Sequence, residues 1–220
     1  MKRAGAVLVG LVVLASFGVE AVAAQESSPA SGESALQKLL DGNKRYVEAK
    51  LSHPDQTAER RAEVAKGQHP FAVIVSCSDS RVPPEIIFDQ GLGDLFVIRL
   101  AGNILDDAAL GSLEYAVEHL GVRHIMVLGH ERCGAVDATL KGGEAPGHIG
   151  SLVNAIRPAV EKAKNQPGDV LDNAVRTNVT MVVQQLKSSG PILEDLFKKG
   201  ALTIDGARYD LEDGVVSILP

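Results

Sequence analysis

The sequence predicts an α/β fold, a mainly parallel sheet flanked by helices, with an N-terminal helical arm and a C-terminal antiparallel edge. Three observations carry this. Short apolar runs at 71–75, 95–98 and 125–128 have the length and β-branched content of strands buried on both faces. The segments between them have the period and the end signals of helices. Such crossovers return the chain to the same edge of the sheet, so the strands run parallel. The tail from 202 to 218 breaks into short apolar stretches at Asp205-Gly206 and Asp213-Gly214, pairs that favour tight turns between antiparallel strands.

The elements follow in order. Lys2 and Arg3 precede an apolar stretch from Ala4 to Phe17, and Val22-Ala23-Ala24 supplies small residues, so residues 1–24 have the layout of an export signal peptide. The alternative is a membrane anchor, for which the apolar core is short. Cleavage near Ala24 would leave an exported protein, periplasmic or secreted, with no stable membrane span. Residues 25–33 are rich in Ser, Pro, Gly and Ala and form a flexible lead-in. A single domain, 34–220, starts at Ser34, which with Gln37 makes a capping-box pattern ahead of Leu36, Leu39, Leu40 and Tyr46. A charged helix follows from Thr57 to Lys66, then the first strand. Val82-Pro83-Pro84-Glu85 gives an extended or turn path. Asp106 caps a helix reaching Gly121. Beyond the 124–128 strand, helices are expected from Gly134, over 147–164, over 169–187 and over 191–199.

With 220 residues and 45% hydrophobic content the chain supports one well-buried domain. Its net charge is −6, and loss of the leader makes it one unit more negative. An acidic protein of this kind is a poor nucleic-acid binder, so nucleic acid is excluded as a partner.

Two strands end in chemistry. The first runs into Cys77-Ser78-Asp79-Ser80-Arg81, the third into His130-Glu131-Arg132-Cys133, and these are the chain's two cysteines. In open α/β sheets the ligand crevice lies at the carboxyl ends of strands, where both clusters fall. One imidazole and two thiolates suit a tetrahedral zinc and leave a fourth position for water, substrate or a carboxylate such as Asp79, the count of a catalytic site. Zinc in such a site brings a bound water towards a pKa of about 7. Asp79 can accept a hydrogen bond from the resulting hydroxide, and Arg81 can hold Asp79 ionised and in place. The plain alternatives are a Cys77 to Cys133 disulfide, as an exported protein invites, and an ordinary surface pair of Asp79 with Arg81. His53, His69, His119, His124 and His148 are read as solvated or helix-end histidines, none of them a zinc ligand.

The two clusters together, with Gly129 and Gly134 flanking the second, resemble the β-class carbonic anhydrases, and the likeness runs from about Ser34 to the C-terminus. The resemblance implies Cys77, His130 and Cys133 as ligands of one Zn2+ per subunit, with Asp79 and Arg81 as the catalytic dyad. The reaction it implies is reversible hydration of carbon dioxide to bicarbonate and a proton. It also implies a substrate pocket drawing on Gln68, Phe96, Gly102 and Tyr115, and a homodimer or dimer of dimers whose sites are lined by both subunits. Glu131 and Leu100 depart from the family's usual residues without touching a proposed ligand. Tyr115 is equally readable as core packing, and Gln68 as the end of a loop. Hydrolysis of carbonyl sulfide or carbon disulfide on the same site, or a zinc or thiol-redox module without turnover, are the competing functions.

Overall fold

The computed structural model describes residues 34–220; the expected leader and lead-in lie outside them. Helix α1 (Ala35–Val47) starts where Ser34 Oγ accepts the Gln37 amide at 3.2 Å, which satisfies a donor the first turn leaves open. The Gln37 side chain does not return to Ser34; it donates to Asp41 one turn on. Thr57 caps α2 (Ala58–Val64) in the same way.

Strand β1 (Ala72–Ser76) is followed by α3 (Pro84–Ile87), where a turn path had been expected. Pro84 stands at the first helical position, where its missing N–H leaves no unsatisfied donor. Strand β2 (Leu95–Arg99) leads through a 3₁₀ turn at Ala101–Asn103 to α4 (Asp107–Glu118), capped by Asp106. Then come β3 (His124–His130), α5 (Gly134–Lys141), α6 (Ile149–Ala163), α7 (Val170–Lys187), capped by Asp169, and α8 (Ile192–Lys198).

Strands β4 (Thr203–Tyr209) and β5 (Val216–Ile218) complete a five-stranded sheet in the order β2-β1-β3-β4-β5. The first four are parallel and β5 pairs antiparallel with β4, as the sequence implied. One expectation about the sheet is corrected. Asp205-Gly206 is no turn; it lies inside β4, paired with Met126 and Val127 of β3. Gly206 is there because α7 packs close against the strand: a Cβ at Gly206 would come within 2.9 Å of Val179 Cγ1. Glycine inside a strand is the signature of such an approach as well as of a turn.

Alternation along the strands feeds two cores. Ile74, Met126, Leu128 and Ala207 point to one face with Leu39, Phe88, Val136, Ile156 and Val160. Val73, Val75, Ile125, Val127 and Ile204 point to the other with Leu113, Val117, Val179 and Leu193. His124, expected in solvent, is buried at the start of β3, its Nδ1 2.8 Å from Thr203 Oγ1. Among the described residues no helix is long and apolar enough to cross a membrane.

Candidate metal centre

The centre forms where β1 and β3, adjacent and parallel, run out of the sheet side by side. Ser76 pairs with Leu128 at the last rung, so the residues after them emerge at the same edge. Cys77 follows β1 directly, His130 is the last residue of β3, and Cys133 stands just ahead of α5. All three are buried. Their ligand atoms lie within 4.8 Å of one another, and the two sulfurs are 4.0 Å apart.

These residues fit zinc. Two thiolates on one tetrahedral zinc stand about 3.8 Å apart, close to the separation found, and two sulfurs with one nitrogen make a donor set that suits that ion. His130 is oriented for it: Nδ1 lies 2.8 Å from the Glu131 carbonyl oxygen, which makes Nδ1 the protonated nitrogen and leaves Nε2 with its lone pair free. Nε2 is fully buried and has no hydrogen-bond partner. A buried nitrogen left in that state is costly unless something occupies the space before it. The contact with Cys133 chiefly lowers the Cys77 thiol, to about 4, against the effect of burial. The same contact, with burial, pushes the Cys133 thiol up.

Asp79 stands at the rim with one oxygen 3.8 Å from His130 Nε2. Arg81 grips it at both oxygens: Nε donates to Oδ1 at 2.9 Å, Nη2 to Oδ2 at 2.7 Å, and the Arg81 amide to Oδ1 at 2.9 Å. These bonds, led by the guanidinium, hold the Asp79 carboxyl well below the usual range. It is therefore ionised at neutral pH and can only accept hydrogen bonds.

Of the four residues expected to line the pocket, Gly102 is bonded to a proposed ligand: its amide donates to Cys77 Sγ at 3.2 Å. Phe96 lies on β2 and packs into the core on the opposite face of the sheet from Cys77. Tyr115 is 48% exposed on α4, beside His119, and Gln68 is exposed in the loop before β1. Among the described residues, none of these three has a hydrogen bond or ion pair with Cys77, His130 or Cys133.

Sequence reading missed Arg99 and Asn178. Arg99 Nε donates to the Cys77 carbonyl at 2.8 Å and Nη2 to the Asp79 carbonyl, while Ser78 Oγ donates back to the Arg99 carbonyl at 3.1 Å. The loop that carries Cys77 and Asp79 is thus clasped to the end of β2. Asn178, on α7, donates to the Gly102 carbonyl at 2.8 Å. The departure at Glu131 is taken up outside the cluster, where its carboxylate receives the Leu211 amide and stands between Arg132 and Arg208.

The model of the family described as "Carbonic anhydrase" matches residues 72–216, which contain every residue of this centre. The chain is 42% identical over 184 residues to carbonic anhydrase 2 of Mycobacterium tuberculosis, covering 82% of this chain and 89% of the relative. Among solved structures it resembles a Coccomyxa β-carbonic anhydrase in complex with acetazolamide, with a TM-score of 0.68 and 29% identity, over 85% of this chain and 87% of that one. It resembles equally a tetrameric β-carbonic anhydrase from Sordaria macrospora, with a TM-score of 0.68 and 25% identity, over 85% and 98% of the two chains. Fold, strand-end chemistry and relatives agree: the chain belongs to the β-class carbonic anhydrase family, the enzymes that interconvert carbon dioxide and bicarbonate.

Proposed function

We propose that Cys77, His130 and Cys133 hold one zinc ion per chain and that the protein hydrates carbon dioxide reversibly at that site. The observation that carries the reading is the meeting of two buried sulfurs with the partnerless Nε2 of His130, beside a carboxylate fixed by Arg81. Zinc supplies a Lewis acid that makes water nucleophilic at neutral pH.

The chain's own residues do the rest. Asp79, ionised, is an obligate acceptor, so a water-derived nucleophile beside it would donate a hydrogen bond to Asp79, keep its proton, and turn a lone pair towards the substrate carbon. Arg81 keeps that acceptor in one place by its paired bonds, and it keeps the carboxylate from swinging inward as a further ligand. The Glu131 carbonyl fixes the tautomer of His130. Arg99 ties the Asp79 backbone to β2, so ligand and acceptor move as one piece.

The protein is proposed to work as a homodimer or dimer of dimers. The Sordaria relatives are described as tetrameric. Strand β2 is an edge of the sheet, and its apolar residues Leu95, Phe96, Val97 and Ile98 are only partly buried in the single chain; a second copy over that edge would cover them. Gln68, Phe96 and Tyr115 belong to the same proposal, as pocket walls that a second subunit supplies or completes. Export is proposed from the sequence of residues 1–24 alone.

Stopped-flow hydration of carbon dioxide by zinc-loaded protein, beside hydrolysis of carbonyl sulfide, tests the reading. Rapid hydration with slow or no hydrolysis of carbonyl sulfide is expected. Turnover of carbonyl sulfide alone would replace the substrate, and turnover of neither would leave a binding or redox module.

A further inference from the structure

Asn178 is out of keeping with its surroundings. It lies 3% exposed on the face of α7 that carries Ala174, Val175, Val179 and Val182, all buried. An amide in such a stripe is a net loss unless its hydrogen bonds are made. Its Nδ2 donates at 2.8 Å to the carbonyl of Gly102, 76 positions earlier in the chain.

Gly102 is a point where the backbone needs holding. Its φ is +74° and that of Asn103, next to it, is +45°, two successive residues in the left-handed region, which glycine enters freely and asparagine more readily than most other residues. A side chain at 102 is disfavoured on two counts, since a Cβ there would also fall 2.5 Å from Ile156 Cδ1 and force that buried methyl to move. Glycine, however, has the widest choice of φ and ψ, and what it does with its amide matters: that N–H is the donor to Cys77 Sγ at 3.2 Å. The amide and the carbonyl belong to the two peptide planes that meet at the Gly102 Cα. Fixing the carbonyl from α7 restricts the backbone rotation by which the amide would turn off the sulfur.

We propose that Asn178 is a positioning residue of the metal centre, which, by gripping the Gly102 carbonyl, keeps the Gly102 amide hydrogen-bonded to the Cys77 thiolate. The inference rests on the zinc reading above and deepens it. An N–H directed at a thiolate lowers the energy of the sulfur lone pairs and offsets the charge of a buried anion, so its loss shifts sulfur-to-metal charge transfer to lower energy and leaves the thiolate form less stabilised and less firmly aimed. Partners of this outer kind are worth about 10-fold to 100-fold in metal affinity when removed. Asn178 reaches the metal centre from a helix that bears no ligand, and it does so through backbone, so no motif marks it.

The experiment compares Asn178→Leu with wild type, each loaded with Co2+ under reducing conditions, following the sulfur-to-cobalt charge-transfer band, and each assayed for zinc affinity by competition with a chelator. Val175→Ala, on the same helix face without a bond to Gly102, is the control for loss of packing. The expected result is a shift of the band to longer wavelength in Asn178→Leu and a fall in zinc affinity of about 10-fold or more, with an unshifted band in Val175→Ala. If Asn178→Leu does not fold, Asn178→Ser, which leaves space in place of a misfitting side chain, carries the same expectation. A band unchanged from wild type, or one shifted equally in Val175→Ala, overturns the role of Asn178. Failure of the wild-type protein to take up Co2+ with a thiolate band overturns the metal reading itself, a distinct outcome.

Discussion

Asp79 and Arg81 face each other across a two-residue step, with guanidinium nitrogens 2.9 and 2.7 Å from the two carboxylate oxygens. The pair lies at the rim of the cluster formed by Cys77, His130 and Cys133, and Arg81 is the more exposed partner, at 52% against 17% for Asp79. An exposed pair of this kind adds little to stability. Its value lies in where it leaves the carboxylate, 3.8 Å from the buried nitrogen of His130.

Asp79→Asn tests that value. The amide has nearly the same shape but presents a donor as well as an acceptor, so it no longer dictates which way its neighbour turns. Hydration should fall by a factor on the order of 10² or more, with zinc content and unfolding midpoint close to wild type. Equal turnover at equal zinc content would remove the dyad from the mechanism.

Gly129 tests how closely α7 is seated on the sheet beside the metal centre. A Cβ there would lie 2.4 Å from Val179 Cγ2 and 3.3 Å from Val175 Cγ1. Gly129→Ala should destabilise by about 1–3 kcal/mol as an overpacked site, measured by urea unfolding. Adding Val179→Ala removes the obstructing methyl, so the double variant should lose less than the sum of the two single losses. Additive losses would show that the helix is not the obstacle.

Asp89 tests the acid limb of stability. Its side chain is 1% exposed and paired with Arg45 at 2.6 Å. Burial works to raise its pKa, but Arg45, the Ser52 amide and hydroxyl, and the His53 amide outweigh it and hold the carboxyl at about 2, below the ordinary 3.8. A carboxyl lowered on folding contributes stability above its unfolded pKa and loses it as pH falls through the folded one. Asp89→Asn should therefore be less stable than wild type near neutral pH by about 2 kcal/mol. That gap should close as pH falls from about 4 to about 2. Urea unfolding of both proteins, reduced and metal-free, across that range measures it. A gap that persists at pH 2 would show that the ionised carboxylate is not its source.

Cys77 and Cys133 test what metal loss exposes. Their sulfurs stand 4.0 Å apart, and a disulfide needs about 2.05 Å, so a modest rotamer or backbone shift joins them. Thiolates engaged by zinc are poor nucleophiles, and the loaded protein should resist oxidised glutathione. Chelator-stripped protein exposed to oxidised glutathione should lose both free thiols to an intramolecular bond, with reduced glutathione released, and activity should return only with zinc and a reductant together. Full recovery with zinc alone would show that the sulfurs are held too rigidly to bond.

The strand-end clusters were legible because parallel strands with apolar runs put successive carboxyl ends at one edge. Adjacency of β1 and β3 then brings Cys77 to His130 and Cys133. What escaped the sequence is what packing decides. Asp205-Gly206 looks like a turn because the dipeptide is locally suited to one; only the nearness of Val179 gives Gly206 its place inside a strand. Nothing local marks Arg99 as a clasp; only its side chain on the Cys77 and Asp79 carbonyls shows that role. His124 reads as a solvent residue until β4 covers it through Thr203. In each case a non-local contact outranks the local signal.

The central claim is that this chain hydrates carbon dioxide through one metal held by Cys77, His130 and Cys133. The most direct measurement titrates reduced, metal-free protein with zinc while following carbon dioxide hydration by stopped flow. Activity should rise in proportion to zinc and level off at one equivalent per chain, and Cys133→Ser should abolish the tight-binding rise. Full hydration without metal, or none at saturating zinc in folded protein, would contradict it.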